Sequence, residues 1–155
     1  MPPEGELPPG LSIRQLLSDD APGLGTLTYW AYLGGIEDEG QTQEWHLAQA
    51  VEALTGSAEY GAPIWEACLG VFNSHELVGA VVVTDDRAEA LIAFVLVLPK
   101  WQKRGVGTEV LIRSGQALEA LGRRECVLSV ADGNPALRLY RRLGFTQFSP
   151  TQRRE

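Results

Sequence analysis

Seven consecutive residues, Gln102-Lys103-Arg104-Gly105-Val106-Gly107-Thr108, have the types and spacing of an anion-binding turn. Two glycines at alternate positions let a backbone turn tightly and come close to a ligand. Where a helix starts at the end of such a loop, its first N–H groups lack intrahelical partners and point outward with the positive end of the helix dipole. Lys100, Lys103 and Arg104 concentrate positive charge at the same place, in a chain whose formal net charge is -7. A local positive patch on an acidic background suits a phosphate-bearing ligand. The competing explanation is that Gly105 and Gly107 only shape a strand-to-helix turn among solvated cations.

Spacing separates this loop from two other phosphate loops. The dinucleotide fingerprint needs a third glycine where Val110 stands, and an acidic residue ending the next strand, where the chain has Val130 and Ala131. The mononucleotide loop ends in Gly-Lys-Ser/Thr, whereas this one ends Gly-Val-Gly-Thr.

The elements that must position the loop follow from hydrophobic periodicity. Leu91 to Leu98 is apolar without alternation, which marks a central strand covered on both faces. After Pro99 the period changes, and Val106, Val110, Ser114, Ala117, Leu118 and Leu121 fall on one face of a helix that stops at Gly122. Upstream, Leu11 to Leu16 is compatible with an opening strand. A weak helix over 21–33, capped by Ser18 or Asp19, keeps a rhythm of Leu24, Leu27 and Ala31. A better helix has Thr42 as its cap, Trp45, Ala48, Val51 and Leu54 at helical spacing, and Gly56 where a left-handed residue ends helices. Two further strands, Ile64 to Phe72 and Leu77 to Thr84, precede the central one, with turns at Asn73-Ser74-His75-Glu76 and Asp85-Asp86-Arg87. Cys126 to Val130 is another short buried strand. A last helix has Asn134 as cap, Pro135 at its first position and Gly144 at its end, with a short strand at Phe145 to Phe148 in reach.

The predicted order is strand, helix, helix, strand, strand, strand, helix, strand, helix. This is an α/β (α+β) arrangement with a mixed, mostly antiparallel central sheet flanked by helices. The first ten residues, with four prolines and little apolar content, read as a flexible tail, and residues 11–155 as a single domain.

Two segments carry a resemblance to a known family. Val97-x-Pro99-Lys100-Trp101-Gln102-Lys103-Arg104-Gly105-Val106-Gly107 resembles the Gln/Arg-x-x-Gly-x-Gly/Ala motif of the GNAT superfamily of acyl-CoA-dependent N-acyltransferases. Asn134 through Leu139-Tyr140 to Gly144-Phe145 is similar to that family's closing helix. The resemblance implies acetyl-CoA as acyl donor, with no metal. It also implies that Val95, Leu96 and Val97 offer backbone groups to the pantetheine arm. Gln102, Lys103, Arg104, Gly105, Val106, Gly107 and Thr108 would bind the pyrophosphate. Asn134 would sit near the pantetheine or the departing sulfur, and Tyr140 would match the family's general acid. Asn134 is also explained as a helix cap alone, and Tyr140 as a core aromatic. Family members usually continue the sheet beyond the Gly-Phe, and here Phe145 to Glu155 leaves room for one short strand, so the resemblance predicts a shortened C-terminal sheet and leaves monomer or homodimer open.

Acyl transfer requires a neutral amine, and an alkyl ammonium with a pKa of about 10 must first lose a proton. The candidate bases are Glu89, at the entrance to the central strand, and Glu37, Asp38, Glu39, Glu44 and His46 between the first two helices. For Glu37-Asp38-Glu39 the alternatives are a solvated acidic loop or a lure for a cationic acceptor. Tyr29, Trp30, Tyr32 and Trp45 either wall the acceptor pocket or fill the core. The acceptor itself, a small-molecule or peptide amine, is not encoded in any motif. A non-catalytic acyl-CoA-binding domain is the rival reading, and a ligand-free interaction domain would make the glycine loop a coincidence.

Bulk properties agree with one globular unit: 155 residues, 45% hydrophobic and 21% charged, suffice for a core without disulfides or metals. Cys68 and Cys126, each in an apolar run, read as small buried hydrophobes. The negative net charge, with no compensating basic stripe, argues against nucleic acid. The lack of a long apolar stretch or basic-then-apolar leader leads to the expectation of a cytoplasmic protein with no membrane partner.

Overall fold

The computed structural model describes residues 7–33, 39–56, 61–86, 89–123 and 126–128. The apolar run read as the central strand becomes β5 (Glu89–Val97), and it is covered on both sides. It pairs antiparallel with β4 (Glu76–Asp86) and parallel with β6 (Cys126–Leu128). On the other side of β4 lies β3 (Leu69–Asn73), and then β1 (Leu11–Gln15), both antiparallel to their neighbours. The sheet order is therefore β1-β3-β4-β5-β6, with a two-residue strand β2 (Ala62–Pro63) pairing with β4. Helices α1 (Ala21–Tyr32) and α2 (Gln43–Thr55) cover one face and α3 (Val106–Ala120) the other.

Alternation along β4 and β5 sorts the core into two layers. Leu77, Ala80, Val82, Phe94 and Leu96 pack toward α1 and α2, while Val78, Val81, Val83 and Ile92 pack toward α3. Two irregularities adjust that alternation. Val71 faces Gly79 and Phe72 faces Leu77, so Val78 is an extra residue in β4. Val82 faces Phe94 and Val83 faces Ile92, so Ala93 is an extra residue in β5. Beyond Ala93 the strand restarts its alternation, which leaves Val95 and Val97 on the α3 side.

Several expectations from the sequence need correcting. The strand expected over Ile64 to Phe72 is divided. Ile64 N–H donates to the Val83 carbonyl, Trp65–Ala67 then forms a 3₁₀ turn, and the strand proper begins at Leu69. β4 and β5 continue to the pairing of Asp86 with Glu89, so Asp85 and Asp86 lie in the strand rather than in a turn. Ser18–Asp20 is itself a 3₁₀ turn, and neither Ser18 nor Asp19 caps α1. Asp20 instead accepts the Leu17 N–H at 2.8 Å and a two-toothed fork from Arg14 at 2.9 and 3.0 Å, which holds its carboxyl below the usual carboxylate range.

The cap of α2 is as expected: Thr42 Oγ1 accepts from the Trp45 N–H at 3.1 Å. Its buried face is not. His46, Ala50, Ala53 and Leu54 face inward, while Trp45, Ala48 and Val51 face outward. Of the expected stripe only Leu54 is buried, and α1 and α2 approach closely where Gly25 meets α2. A Cβ placed on Gly25 would lie 2.7 Å from the Leu47 Cα. Gly56 has φ 90 but ψ 142, an extended rather than left-handed helical ending. The last helix and the segment from Ser129 onward lie outside the described residues.

Candidate functional site

The loop between β5 and α3 is built from the strand end outward. Leu98 N–H donates to the Val78 carbonyl at 2.9 Å, which ties the end of the strand to β4. Pro99–Trp101 forms a 3₁₀ turn, and residues 102–105 turn again before α3 begins at Val106. Lys103 and Gly105 both hold positive φ, at 63 and 83. Alternation of left-handed residues with their neighbours turns successive N–H groups toward one concavity, a backbone nest suited to anions. Gly105 is the N-cap of α3 and supplies no side-chain bond, so the first-turn amides are left for a ligand. A Cβ at Gly105 would meet nothing within 4 Å, so the space above the turn is open. These features fit a pyrophosphate.

The cations stand around the same turn. Lys103 and Arg104 are exposed and form no salt bridge among the described residues, and Lys100 lies 3.7 Å from Glu76 across exposed surface. The Arg104 guanidinium sits 4.5 Å over the Trp101 ring, a cation–π contact that holds the arginine beside the loop. Gln102 turns its exposed side chain back onto the chain: Nε2 donates to the Val97 carbonyl at 3.0 Å and braces the turn against the end of the strand. Val95, Val97, Gly107 and Thr108 are half-buried, whereas Leu96 and Val106 are in the core.

Glu109, on which sequence reasoning placed no role, sits in the first turn of α3 with only 2% of its surface exposed. Arg113 Nε donates to its carboxylate at 2.6 Å. The pair neutralises an anionic charge that would otherwise oppose a phosphate at the same helix end. An acid within the Val106–Val110 stripe and an arginine four residues later was the available signal. Ser114, further along α3, donates to the Ala67 carbonyl at 2.7 Å and fixes the helix against the 3₁₀ turn.

On the opposite face, α1 and α2 bring four of the named aromatics together. Tyr29 contacts Trp30 at 5.1 Å between ring centroids and His46 at 5.8 Å, and His46 contacts Trp45 at 5.0 Å and Tyr32 at 6.1 Å, all edge-on. His46 is buried, whereas Trp30 is 47% and Trp45 44% exposed, so neither indole is a core residue. Glu39 and Glu44 are exposed beside them in the chain. Glu37, Asp38, Asn134 and Tyr140 lie outside the described residues, and Glu89 is described only through its backbone, at the start of β5.

A family model for the acetyltransferase (GNAT) domain matches residues 64–147, which is more than half of the chain. The chain belongs to the GNAT acetyltransferase family. Solved GNAT structures agree with the fold. The PaiA N-acetyltransferase of Thermoplasma acidophilum, solved with coenzyme A, is 20% identical, with 88% of this chain and 89% of that chain covered and a TM-score of 0.69. The ribosomal-protein-S18-alanine N-acetyltransferase of Escherichia coli is 18% identical, with 90% and 79% covered and a TM-score of 0.68. A GNAT family acetyltransferase of Brucella melitensis, solved with acetyl-CoA, is 26% identical, with 88% and 83% covered and a TM-score of 0.62. No curated protein sequence matches the chain. Among the described residues no helix is long and apolar enough to cross a membrane, and no cluster of His, Cys, Asp and Glu could hold a metal ion.

Proposed function

We propose that this GNAT domain transfers an acetyl group from acetyl-CoA to a primary amine by direct attack of the amine on the thioester. The observation that carries this reading is the uncapped, glycine-turned start of α3, with Lys103 and Arg104 unpaired beside it among the described residues, in a chain matched by the family. In this reading the amides of Gly105, Val106, Gly107 and Thr108 hold the pyrophosphate, with Lys103 and Arg104 supplying charge. Gln102 acts as a brace. The backbone of Val95, Leu96 and Val97 lies along the pantetheine arm, and Asn134 lies near the sulfur.

The reaction forms an N–C bond and breaks the C–S bond. The acceptor ammonium gives a proton to a base or to water, and the departing thiolate takes one from Tyr140. Backbone N–H groups near Val97 would stabilise the tetrahedral oxyanion. Residues 11–155 act as one domain, in a cytoplasmic setting, as a monomer or homodimer.

Thiol release from acetyl-CoA across a panel of amines tests the assignment. Tyr140→Phe should lower kcat at least ~10-fold while leaving the KM for acetyl-CoA within about twofold, as expected of a group that acts only in the transition state. Coenzyme A binding without turnover on any amine would favour a non-catalytic binding domain instead.

A further inference from the structure

Adjacent cations of the loop, Lys103 and Arg104, are committed to different places. Lys103 holds φ 63, a left-handed conformation that glycine adopts without strain, and builds the amide nest together with Gly105. Arg104 is tied elsewhere. Its guanidinium stands 4.5 Å over the ring of Trp101, a residue of the 3₁₀ turn that precedes the nest.

The indole is a fixed platform for that arginine. Trp101 N–H donates to the Leu98 carbonyl at 2.9 Å, and the side chain packs against the core layer under α3. Its Nε1 is buried and has no hydrogen-bond partner among the described residues, so the polar edge of the ring contributes no bond there. The ring face is what its position uses. A guanidinium stacked by its own face keeps its in-plane N–H donors for a ligand, and Arg104 is exposed with no salt bridge among the described residues. Neither residue is specified by the Gln/Arg-x-x-Gly-x-Gly/Ala pattern: Trp101 precedes it and Arg104 fills one of its open positions.

The chemistry of the donor gives this device an object. Coenzyme A carries negative charge at two places on one ribose. The pyrophosphate on the 5′ side is a diester, which suits amides at a helix start. The 3′-phosphate is a monoester with a charge of about -2 at neutral pH and three terminal oxygens. Such a group accepts two parallel N–H bonds from a guanidinium, whereas a lysine offers it only a point charge. A donor seated on the nest by its pyrophosphate brings the monoester of the same ribose to the edge of the same loop.

We infer that Arg104, held on Trp101, selects coenzyme A by its 3′-phosphate, separately from the amides that hold the pyrophosphate. The inference rests on the acetyl-CoA reading and assigns Arg104 one phosphate within it.

Calorimetry with coenzyme A and 3′-dephospho-coenzyme A separates the two. Failure of both to bind would overturn the donor site as a whole, whereas equal affinity for both would overturn only the role of Arg104. The wild type should bind coenzyme A at least ~10-fold tighter, in line with charge-assisted hydrogen bonds to one phosphate. Arg104→Gln should bring that ratio below about 3, chiefly by weakening coenzyme A. Lys103→Gln should weaken both ligands and keep the ratio. Trp101→Leu, which frees the guanidinium, should lower the ratio about two- to fivefold, and Trp101→Phe by less. Circular dichroism checks that each variant folds. A ratio that survives Arg104→Gln, or an Arg104→Gln variant that weakens both ligands alike, would overturn the assignment. An unchanged ratio in folded Trp101→Leu would overturn the part given to the indole.

Discussion

Gly105 and Gly79 show two different reasons for a glycine near the same loop. At Gly105 the backbone is left-handed and a Cβ would meet open space, so an alanine is penalised by conformation alone, about 1–2 kcal/mol. The motif spacing pointed to this residue. Gly105→Ala is expected to melt a few degrees lower and to bind coenzyme A several-fold more weakly, because relaxing the turn misdirects the amides. Gly105→Asn, which tolerates that φ better, should fall between the two. A thermal melt paired with coenzyme A calorimetry reads both effects, and lost stability with unchanged affinity would exclude the turn from the phosphate site. Cys68 was legible as a buried hydrophobe, and burial pushes its thiol from about 9.0 up to about 11, with the Val83 N–H donated to its sulfur opposing the rise and the charge of Glu66 adding to it. Because the folded thiol resists ionisation, its contribution to stability is complete below pH 9 and declines as pH rises toward 11. Urea midpoints at pH 8 and 10.5 should therefore fall further for the wild type than for Cys68→Ala. Equal declines would show that the thiol titrates normally.

The elements were legible where one signal dominated and illegible where two helices competed for space. Thr42, Gly122 and the unbroken apolar run of β5 each specify their local structure. Gly122 at φ 80 allows Arg123 N–H to reach the Leu118 carbonyl at 2.8 Å and close α3. The close approach of α1 to α2 requires Gly25, a residue of the other helix, so the sequence of α2 alone does not show it. The seating of α3 has the same non-local origin. A Cβ on Gly79 would lie 3.0 Å from Val106 Cγ1 and 3.3 Å from the Leu96 carbonyl oxygen, so glycine at this position of β4 sets how deeply the first turn of α3 sinks onto the sheet. Gly79→Ala should push that turn outward, cost about 1–3 kcal/mol by overpacking, and weaken coenzyme A binding several-fold. Adding Val106→Ala removes the nearer clash and should recover most of the affinity lost by the single variant. A double variant no better than Gly79→Ala would mean that the strand, rather than the seating of the helix, absorbs the added methyl.

At the scale of the whole molecule, the two layers followed from the apolar patterning, but the sheet order did not. β1 pairs with β3, more than fifty residues away, and no local feature of Leu11–Gln15 announces that partner. Charge is also organised at this scale. The formal net charge of -7 opposes an anionic donor, while Lys100, Lys103 and Arg104 favour it from close range. Distance decides between them. At about 0.15 M salt the Debye length is about 8 Å, so carboxylates on the far face of the sheet are already screened while cations at the loop still act. Raising salt to about 1 M shortens that length to about 3 Å and should reach the loop itself. Coenzyme A affinity should therefore weaken between 0.15 M and 1 M salt, and Lys103→Gln/Arg104→Gln should bind more weakly at the lower salt while losing most of that dependence. Calorimetry at the two salt concentrations measures both slopes. If binding strengthens with salt, the net charge of the molecule governs donor binding and the basic loop does not.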